Sequence, residues 1–296
     1  MNQLMQFLLR AMKGCLIGIA NIIPGVSGGT IAVAMNIYAP LVESIGHFPH
    51  NLKNPPQLRH DIAFLTPVIA GALAGIVIFS KIISHLLVIQ RVNSQLFFVG
   101  LIIGSLPLLF KLGNFKKPHW ASILAFALAA AMMLSFFILE NHTSKDFSLQ
   151  AFGNDDLRNP MYLLWLGLCG FIAAVAMVVP GLSGSLLLVM LGAYGHILTM
   201  ISRLTGSSEA QLSWNLSVLG LCVFAAGIGL GIICCARLID YLMKKYPQCT
   251  MAFILGLMIF SILPIWPAGM IFSVSSLLIY TGVILAGAAV AYTLGR

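Results

Sequence analysis

Charged residues are the scarcest class in this sequence. Asp, Glu, Lys and Arg make up 8% of the 296 residues, whereas 59% are hydrophobic and the mean hydropathy is +0.99. A soluble domain carries about a quarter charged residues, so this chain cannot cover its surface with groups that water solvates. The shortage excludes a soluble globular protein and places the chain in a lipid bilayer.

Clusters of catalytic or metal-binding residues are also missing. The six cysteines show neither the paired Cys-x-x-Cys spacing of a zinc site nor a framework of disulfide loops. We expect the seven histidines mostly in loops without paired carboxylates, so that a membrane lipid phosphatase would lack its base or nucleophile. We therefore expect no enzyme, no metal and no cofactor.

The sequence shows no sign of a cleavable signal peptide or of nucleic-acid binding. Lys13 interrupts the first apolar run, and a Pro-Gly motif stands where a cleavage site would lie. The formal charge of +8 comes from basic residues scattered through short loops, which is typical of positive-inside anchoring in a membrane. We expect no nucleic-acid partner.

Long apolar runs are abundant. Seven approach the roughly 20 residues that span hydrocarbon, namely 62–80, 96–110, 120–139, 161–179, 216–236, 252–265 and 274–294. They predict an all-α, multi-pass integral membrane protein.

One loop-forming stretch occurs twice. NIIPGVSGGT (21–30) and MVVPGLSGSL (177–186) both contain Pro-Gly-x-Ser-Gly, and Pro24 and Pro180 are 156 positions apart. The same offset also pairs Tyr38 with Tyr194, Gly71 with Gly227 and Lys81 with Arg237. The pattern predicts an internal duplication with a first repeat over 1–139 and a second over 161–296, joined by a polar, net acidic external linker over 140–160.

Loop charges predict that the repeats have inverted topology. Basic residues place non-equivalent loops of the two repeats in the cytoplasm, namely Lys111, Lys116 and Lys117 in the first and Arg237, Lys244 and Lys245 in the second. Three or five crossings per repeat satisfy this arrangement. Only ten residues separate Lys13 from Pro24, about 15 Å of helix, which favours a re-entrant helical hairpin plus about three transmembrane helices, although 161–179 could span alone.

The duplicated loop predicts a polar site inside the membrane. Irregular backbone at membrane depth survives only inside protein or beside a wet cavity, and a helix that begins with free N–H groups favours an anion. Ser27 and Thr30 add hydroxyls and Asn21 an amide. The alternative is a kink with glycines that let helices pack, and packing is the expectation for Gly71, Gly75, Gly227, Gly229 and Gly231.

Three charged residues are further candidates. Lys81 and Arg237 occupy equivalent positions near helix ends, where they either reach the membrane interface or capture an anion at each face. Glu43 is the acid nearest the first motif and is a candidate proton-coupling group, although its equivalent in the second repeat is Thr199.

The stretches NIIPGVSGGTIAVAMNIY and AMVVPGLSGSLLLVMLGAY resemble the duplicated signature of the bacterial and archaeal polyprenyl-phosphate transporters, over essentially the whole chain. The resemblance implies two inverted repeats with re-entrant helices in the bacterial cytoplasmic (inner) membrane. It also implies a flippase that returns undecaprenyl phosphate, or a related polyprenyl phosphate, from the outer to the cytoplasmic leaflet for recycling of the carrier lipid. Carried over by position, the substrate-binding residues are Asn21, Pro24, Gly25, Ser27, Gly28, Gly29, Thr30, Pro180, Gly181, Ser183, Gly184 and Ser185.

The residues themselves leave a carrier for a small soluble anion open as an alternative. Such a carrier needs a closed central cavity, whereas a lipid transporter needs a lateral opening between helices. The oligomeric state, a homo-oligomer included, is also open.

Overall fold

The computed structural model describes residues 3–22, 27–115, 119–143, 153–204, 212–267, 270 and 273–295, and for residues 3, 22, 79–89, 140–143 and 186 it describes the backbone only. Pro24, Gly25, Lys116 and Lys117 lie outside the described residues, as does the side chain of Lys81.

The described ranges fold into α-helices joined by short turns. The helices are α1 Gln3–Ile22, α2 Gly28–Ala34, α3 Tyr38–Asn51, α4 Pro55–Ile89, α5 Arg91–Gly113, α6 Trp120–Thr143, α7 Asn154–Arg158, α8 Pro160–Val178, α9 Gly184–Met190, α10 Ala193–Leu204, α11 Trp214–Lys245, α12 Pro247–Phe260, α13 Ile262–Ile265 and α14 Val274–Leu294.

Seven segments within the described residues are long and apolar enough to cross a membrane. They are Pro55–Ile78, Arg91–Gly113, Trp120–Leu139, Pro160–Val178, Trp214–Lys245, Pro247–Ile265 and Val274–Leu294. Apolar side chains project outward from them, for example Leu128 (62% exposed) and Leu278 (69% exposed), which suits lipid rather than water. The prediction of an all-α, multi-pass membrane protein is confirmed.

Helix bounds recur at the offset found in the sequence. Helix α2 (28–34) and helix α9 (184–190) coincide after a shift of 156 positions, as do the ends of α4 and α11 at 89 and 245 and the starts of α5 and α12 at 91 and 247. Asn36 and Gly192, also 156 apart, both have left-handed backbones, with φ of 54° and 75°. Asn36 follows the end of α2 and Gly192 follows the end of α9, because a residue with a left-handed backbone cannot continue an α-helix. Internal duplication produces such a recurrence; the inverted arrangement stays a prediction.

The backbone divides into two compact units. The first comprises Met1–Phe137, Val179–Leu182 and Ala236–Arg296, and the second comprises Ile138–Val178 and Ser183–Cys235.

Glycines hold helices together in the first unit. A Cβ on Gly14 or Gly18 of α1 would overlap the Val68 or Ala72 carbonyl of α4, and one on Gly71 would overlap the Ala11 carbonyl of α1. The α1–α4 contact is therefore backbone against backbone, as small residues permit in membrane helices. Helices α5 and α14 pack in the same way through Gly100, Gly104 and Gly287.

The second unit packs α8 against α11 and against the short helices α9 and α10. A Cβ on Gly227 would overlap the Gly167 carbonyl, and one on Gly231 would lie close to the Phe171 carbonyl. A Cβ on Gly229 would meet nothing within 4 Å. The packing interpretation is thus confirmed for Gly71, Gly75, Gly227 and Gly231 and wrong for Gly229, which lies on a different face of α11.

Candidate functional site

The first motif begins α2, and its own side chains cap that helix. Ser27 is the N-cap residue, with its Oγ accepting from the Gly29 N–H at 3.2 Å, while Asn21 Oδ1 accepts from the Gly28 N–H at 3.1 Å. Ser27 and Thr30 are buried, at 5% and 1% exposure. These contacts give a helix that starts with its first amides already hydrogen-bonded.

The expectation that α2 begins with free N–H groups is therefore wrong for Gly28 and Gly29. N-terminal amides lack partners within a helix and bind nearby side-chain oxygens where the sequence offers them. The side chains keep donors of their own: a hydroxyl that accepts one hydrogen bond still has its O–H, and an amide whose oxygen is used still has its NH₂ group. The polar capacity of the loop lies in the side chains of Asn21, Ser27 and Thr30.

Within the first unit, the two motifs touch. The Gly181 N–H of the second motif donates to Thr30 Oγ1 of the first at 2.8 Å, and the bond is buried. Gly181 is left-handed at φ 88°, and an added Cβ would lie 3.0 Å from the Ser261 Cβ. Only glycine fits this backbone and this space without strain. Pro180, also buried, precedes it in the turn 179–182.

The rest of the second motif belongs to the second unit. Ser183 and Ser185 hydrogen-bond each other through their hydroxyls at 3.0 Å, and Ser185 is exposed. Gly184 is buried, and its Cβ would lie 2.7 Å from Met177 Cγ.

In each motif, one side chain before the loop lies against the first glycine of the short helix: Asn21 against Gly28, and Met177 against Gly184. A Cβ on Gly28 would lie 2.7 Å from Asn21 Oδ1, just as one on Gly184 would lie 2.7 Å from Met177 Cγ. Asn21 and Met177 are equivalent positions in the duplication, 156 residues apart, but Asn21 is polar and Met177 is apolar. The first loop thus carries more polar groups.

A buried cation supports the far end of α2. Lys13 of α1 is 8% exposed, and its Nζ donates to the Met35 carbonyl at 2.7 Å. A cation is favourable at a helix C-terminus, where carbonyls lack partners. The sequence offers a signal, a lysine within an apolar run, but that pattern does not specify the Met35 carbonyl as the partner of the lysine.

Of the remaining charged candidates, Glu43 lies on α3 and Arg237 on α11, while Lys81 lies on α4 with its side chain outside the described residues. Arg237 Nε donates to the Gly46 carbonyl at 2.7 Å, and Glu43 pairs with Lys244 at 2.8 Å. Arg237, Lys244 and Lys245 were expected in a loop, but they form the last turns of α11. In the part of the chain that the structure describes, no three His, Cys, Asp or Glu side chains are placed to hold a metal ion.

A buried, hydroxyl-bearing loop contact among apolar spanning helices is typical of membrane transporters that bind a polar group at membrane depth. Residues 17–277 match the family described as undecaprenyl phosphate translocase-like, so the chain belongs to this family. The match confirms the family suggested by the duplicated motif.

Two curated relatives are similar over most of the chain. The polyprenyl-phosphate transporter of Vibrio cholerae is 30% identical over 275 residues, covering 89% of this chain and 79% of the relative. The polyprenyl-phosphate transporter of Staphylococcus aureus is 28% identical over 292 residues, covering 97% and 96%. No solved structure matches. The family and both relatives are transporters by name, which confirms the expectation of a protein that is not an enzyme.

Proposed function

We propose that this protein transports a polyprenyl phosphate, undecaprenyl phosphate or a close relative, from the outer to the cytoplasmic leaflet of the bacterial cytoplasmic membrane. Such transport would return the carrier lipid for reuse. The observation that carries the proposal is the buried hydrogen bond from the Gly181 N–H to Thr30 Oγ1, which joins the two copies of the motif. The printed names of the two relatives support the same substrate class.

The physical problem in this transport is the phosphate headgroup. Burying an unpaired ion in hydrocarbon costs far more than burying a neutral polar group, whereas the isoprenoid tail is at home in lipid. A protein that supplies hydrogen-bond donors at membrane depth replaces the water that the headgroup leaves behind. The side chains of Asn21, Ser27 and Thr30 are such donors, each already fixed by a backbone amide.

Donor side chains held in this way suit an anion. Each uses its oxygen to accept a backbone N–H, so the group that it still offers is an O–H or N–H donor. Hydrogen bonds from such donors to a charged oxygen are stronger than neutral ones. Pro24, Gly25, Pro180 and Gly181 would shape the loop, while Gly28 and Gly29 would allow close approach. Ser183, Gly184 and Ser185 are the proposed contribution of the second copy.

The inverted repeats belong to the same proposal. Two inverted copies, over 1–139 and 161–296, would present the site in turn to each leaflet, as in other secondary transporters. The recurrence of helix bounds at an offset of 156 positions supports the duplication. Lys81 and Arg237 would then be equivalent cations near opposite faces.

Glu43 is the proposed proton-coupling group. It is 53% exposed and pairs with Lys244 of α11, so its carboxylate is accessible to water while linked to a helix that bears other charges. Protonation of Glu43 would break this pair and change the contact between α3 and α11.

Binding measurements separate the proposal from its rivals. Purified protein in lipid nanodiscs should bind a short polyprenyl phosphate, and an excess of inorganic phosphate should not displace it. Displacement by an equal concentration of inorganic phosphate would favour a carrier for a small soluble anion. Release of inorganic phosphate from the lipid would favour a phosphatase, and either result would overturn the proposal.

A further inference from the structure

A net positive cavity, shallow and open at the protein surface, lies in the first unit at the C-terminal end of α11. Its volume is about 640 Å³, and three cations, one carboxylate, one histidine and one tyrosine line it: Arg237, Lys244, Lys245, Asp240, His47 and Tyr241. The motif residues are not among these, so this charged cavity, which we call the α11 cavity, needs its own explanation.

Lys244 pairs with two carboxylates of this region. Its Nζ lies 3.0 Å from Asp240 Oδ1 and 2.8 Å from Glu43 Oε1, and Asp240 also lies 3.2 Å from His47 Nε2. Asp240 is 7% exposed, and its carboxylate lies against the Lys244 ammonium and the His47 ring. Its repulsion of an incoming anion is correspondingly reduced.

Arg237 and Lys245 keep their charge for a ligand. Arg237 Nε is held by the neutral Gly46 carbonyl, and Lys245 Nζ donates to the Tyr241 hydroxyl at 2.6 Å. The Lys245 ammonium also lies 5.4 Å from the centroid of the Tyr246 ring. Among the described residues, neither cation is paired with a carboxylate. Both are therefore positioned without being neutralised.

The residues around the α11 cavity are typical of the headgroup region of a bilayer. Tyr241 and Tyr246 are half-exposed, at 51% and 50%, and amphipathic rings of this kind are enriched at membrane interfaces. Lys244 and Lys245 end an apolar helix, where cations reach toward headgroups. The positive-inside rule assigns this end to the cytoplasmic face.

The α11 cavity is specific to one repeat. At the offset of 156 positions, Asp240, Tyr241, Lys244 and Lys245 correspond to Ser84, His85, Val88 and Ile89. Among the lining residues on α11, Arg237 alone has a cationic equivalent, Lys81, while His47 of α3 corresponds to Arg203. A charged cluster required only for folding of the repeat would be expected in both copies, whereas a cluster that serves one membrane face is needed once.

We propose that the α11 cavity binds the phosphate headgroup of a lipid in the cytoplasmic leaflet, with Arg237 and Lys245 as its ligands. Basic pockets between membrane helices on the cytoplasmic side bind anionic headgroups in this way. The proposal rests on the proposed function, in which a lipid phosphate arrives at this leaflet. It adds a second binding site, separate from the motif, that holds the headgroup after its passage.

Photo-crosslinking tests the α11 cavity directly. A photoreactive polyprenyl phosphate is incorporated with the protein into phosphatidylcholine nanodiscs, and the labelled segment is mapped with chymotrypsin, because the variants remove tryptic sites. We expect label within 237–246. Lys245→Gln should lower the apparent affinity about fivefold and Arg237→Gln with Lys245→Gln about 25-fold, since each cation contributes roughly equally at a membrane surface.

A matched double variant controls for net charge. Lys53→Gln with Lys111→Gln removes two exposed cations outside the α11 cavity and should leave the labelling unchanged. Unlabelled phosphatidic acid, added as a competitor, tells whether the cavity accepts lipid phosphates in general or polyprenyl phosphate alone; both results support the proposal. Because Lys245 is exposed, its single variant keeps the test informative if Arg237→Gln fails to fold.

Three results would overturn the proposal. They are absence of label from 237–246 in the wild type, equal labelling in the charge-removed variant, and displacement by inorganic phosphate at the same concentration as the lipid. Failure of the proposed function has a different signature. A wild type that transports no lipid yet is labelled at 237–246 would refute transport and keep the α11 cavity as a lipid site.

Discussion

Thr30 joins the two copies of the motif through one side-chain oxygen. That oxygen accepts the Gly181 N–H, and the threonine is 1% exposed. A buried amide that loses its acceptor costs about 1–3 kcal/mol. The Thr30 hydroxyl thus links the two motifs and, in the proposed function, also donates a hydrogen bond to the lipid phosphate.

Replacing Thr30 by valine should abolish most transport while keeping the shape of the side chain. The hydroxyl disappears, so the Gly181 N–H loses its acceptor and the headgroup loses a donor. We expect at least a tenfold lower initial rate in proteoliposomes containing labelled polyprenyl phosphate, a loss on the order of the energy of one hydrogen bond. Thr30→Ser keeps the hydroxyl and should stay within about threefold of wild type.

Thr281→Val is the matched control for that variant. Thr281 lies on α14, and its hydroxyl donates to carbonyls of its own helix at Leu277 and Leu278. The same chemical change there should leave the rate unchanged. Thr30→Val with a wild-type rate would show that the hydroxyl has no part in transport.

Gly181 should tolerate no side chain. Its φ of 88° and the Ser261 Cβ only 3.0 Å from an added Cβ both oppose alanine. The left-handed backbone alone costs about 1–2 kcal/mol for a residue with a Cβ. We expect Gly181→Ala to lower the melting temperature in detergent and to reduce transport together with it; unchanged stability would contradict the backbone geometry described for this turn.

At the scale of residues, the sequence predicted candidate side chains but not the hydrogen bonds that they make. The duplicated pattern made Asn21, Ser27 and Thr30 candidates for binding, which stays a prediction, but it did not show that the first two cap α2. A cap depends on which loop oxygen reaches which amide, and that follows from the path of the chain through the turn. The hydrogen bond between Thr30 and Gly181 joins positions 151 apart in the sequence, so no local pattern encodes it.

Glycine contacts dominate at the scale of helices. Helices α1 and α4 approach closely because Gly14, Gly18, Gly71 and Gly75 leave room for the carbonyls of the other helix. In a membrane, close packing of this kind replaces the hydrophobic driving force that water supplies to soluble proteins.

A pair of glycine substitutions tests this packing. Gly71→Ala would push a methyl group into the Ala11 carbonyl, and overpacking of this kind costs typically about 1–3 kcal/mol. Gly229→Ala meets open space and should gain about 0.5–1 kcal/mol, because alanine is the better helix former. Thermal unfolding in detergent should separate the two variants in opposite directions, and equal melting temperatures would refute the backbone contact between α1 and α4.

The ion pair between α3 and α11 allows a test of proton coupling. An exposed pair such as Glu43–Lys244 contributes at most about 1 kcal/mol to stability, so Glu43→Gln should fold normally. If Glu43 couples transport to protons, an imposed pH gradient should accelerate the wild type and not this variant. Equal acceleration of both would remove Glu43 from the coupling mechanism.

Helices were more predictable than the breaks between them. Six of the seven apolar runs fall on one helix each, and the run 252–265 is divided between α12 and α13. Runs are predictable because length and apolarity are properties of the run itself. The division of the stretch after the first motif into α2 and α3 depends on the left-handed Asn36. Asparagine adopts that backbone more readily than most residues, but only the surrounding packing decides whether it does so.

At the scale of the whole molecule, scarcity of charge predicted the environment, and the repeated motif predicted the family. Neither could place the α11 cavity, because it combines His47 of α3 with charges on α11 that lie almost 200 residues later. Sequence patterns report periodicity and repetition, whereas sites assembled from distant helices require the fold.

The central claim is that the polar tip of the first motif, in contact with the second, takes the place of water around a lipid phosphate. The most direct measurement is leaflet-resolved transport of labelled polyprenyl phosphate in proteoliposomes, comparing wild type with Ser27→Leu, which removes the N-cap hydroxyl and fills its space with an apolar side chain. We predict that the wild type depletes the label from the outer leaflet and that Ser27→Leu, folded as judged by its melting temperature, does not. Equal depletion by both proteins would contradict the account.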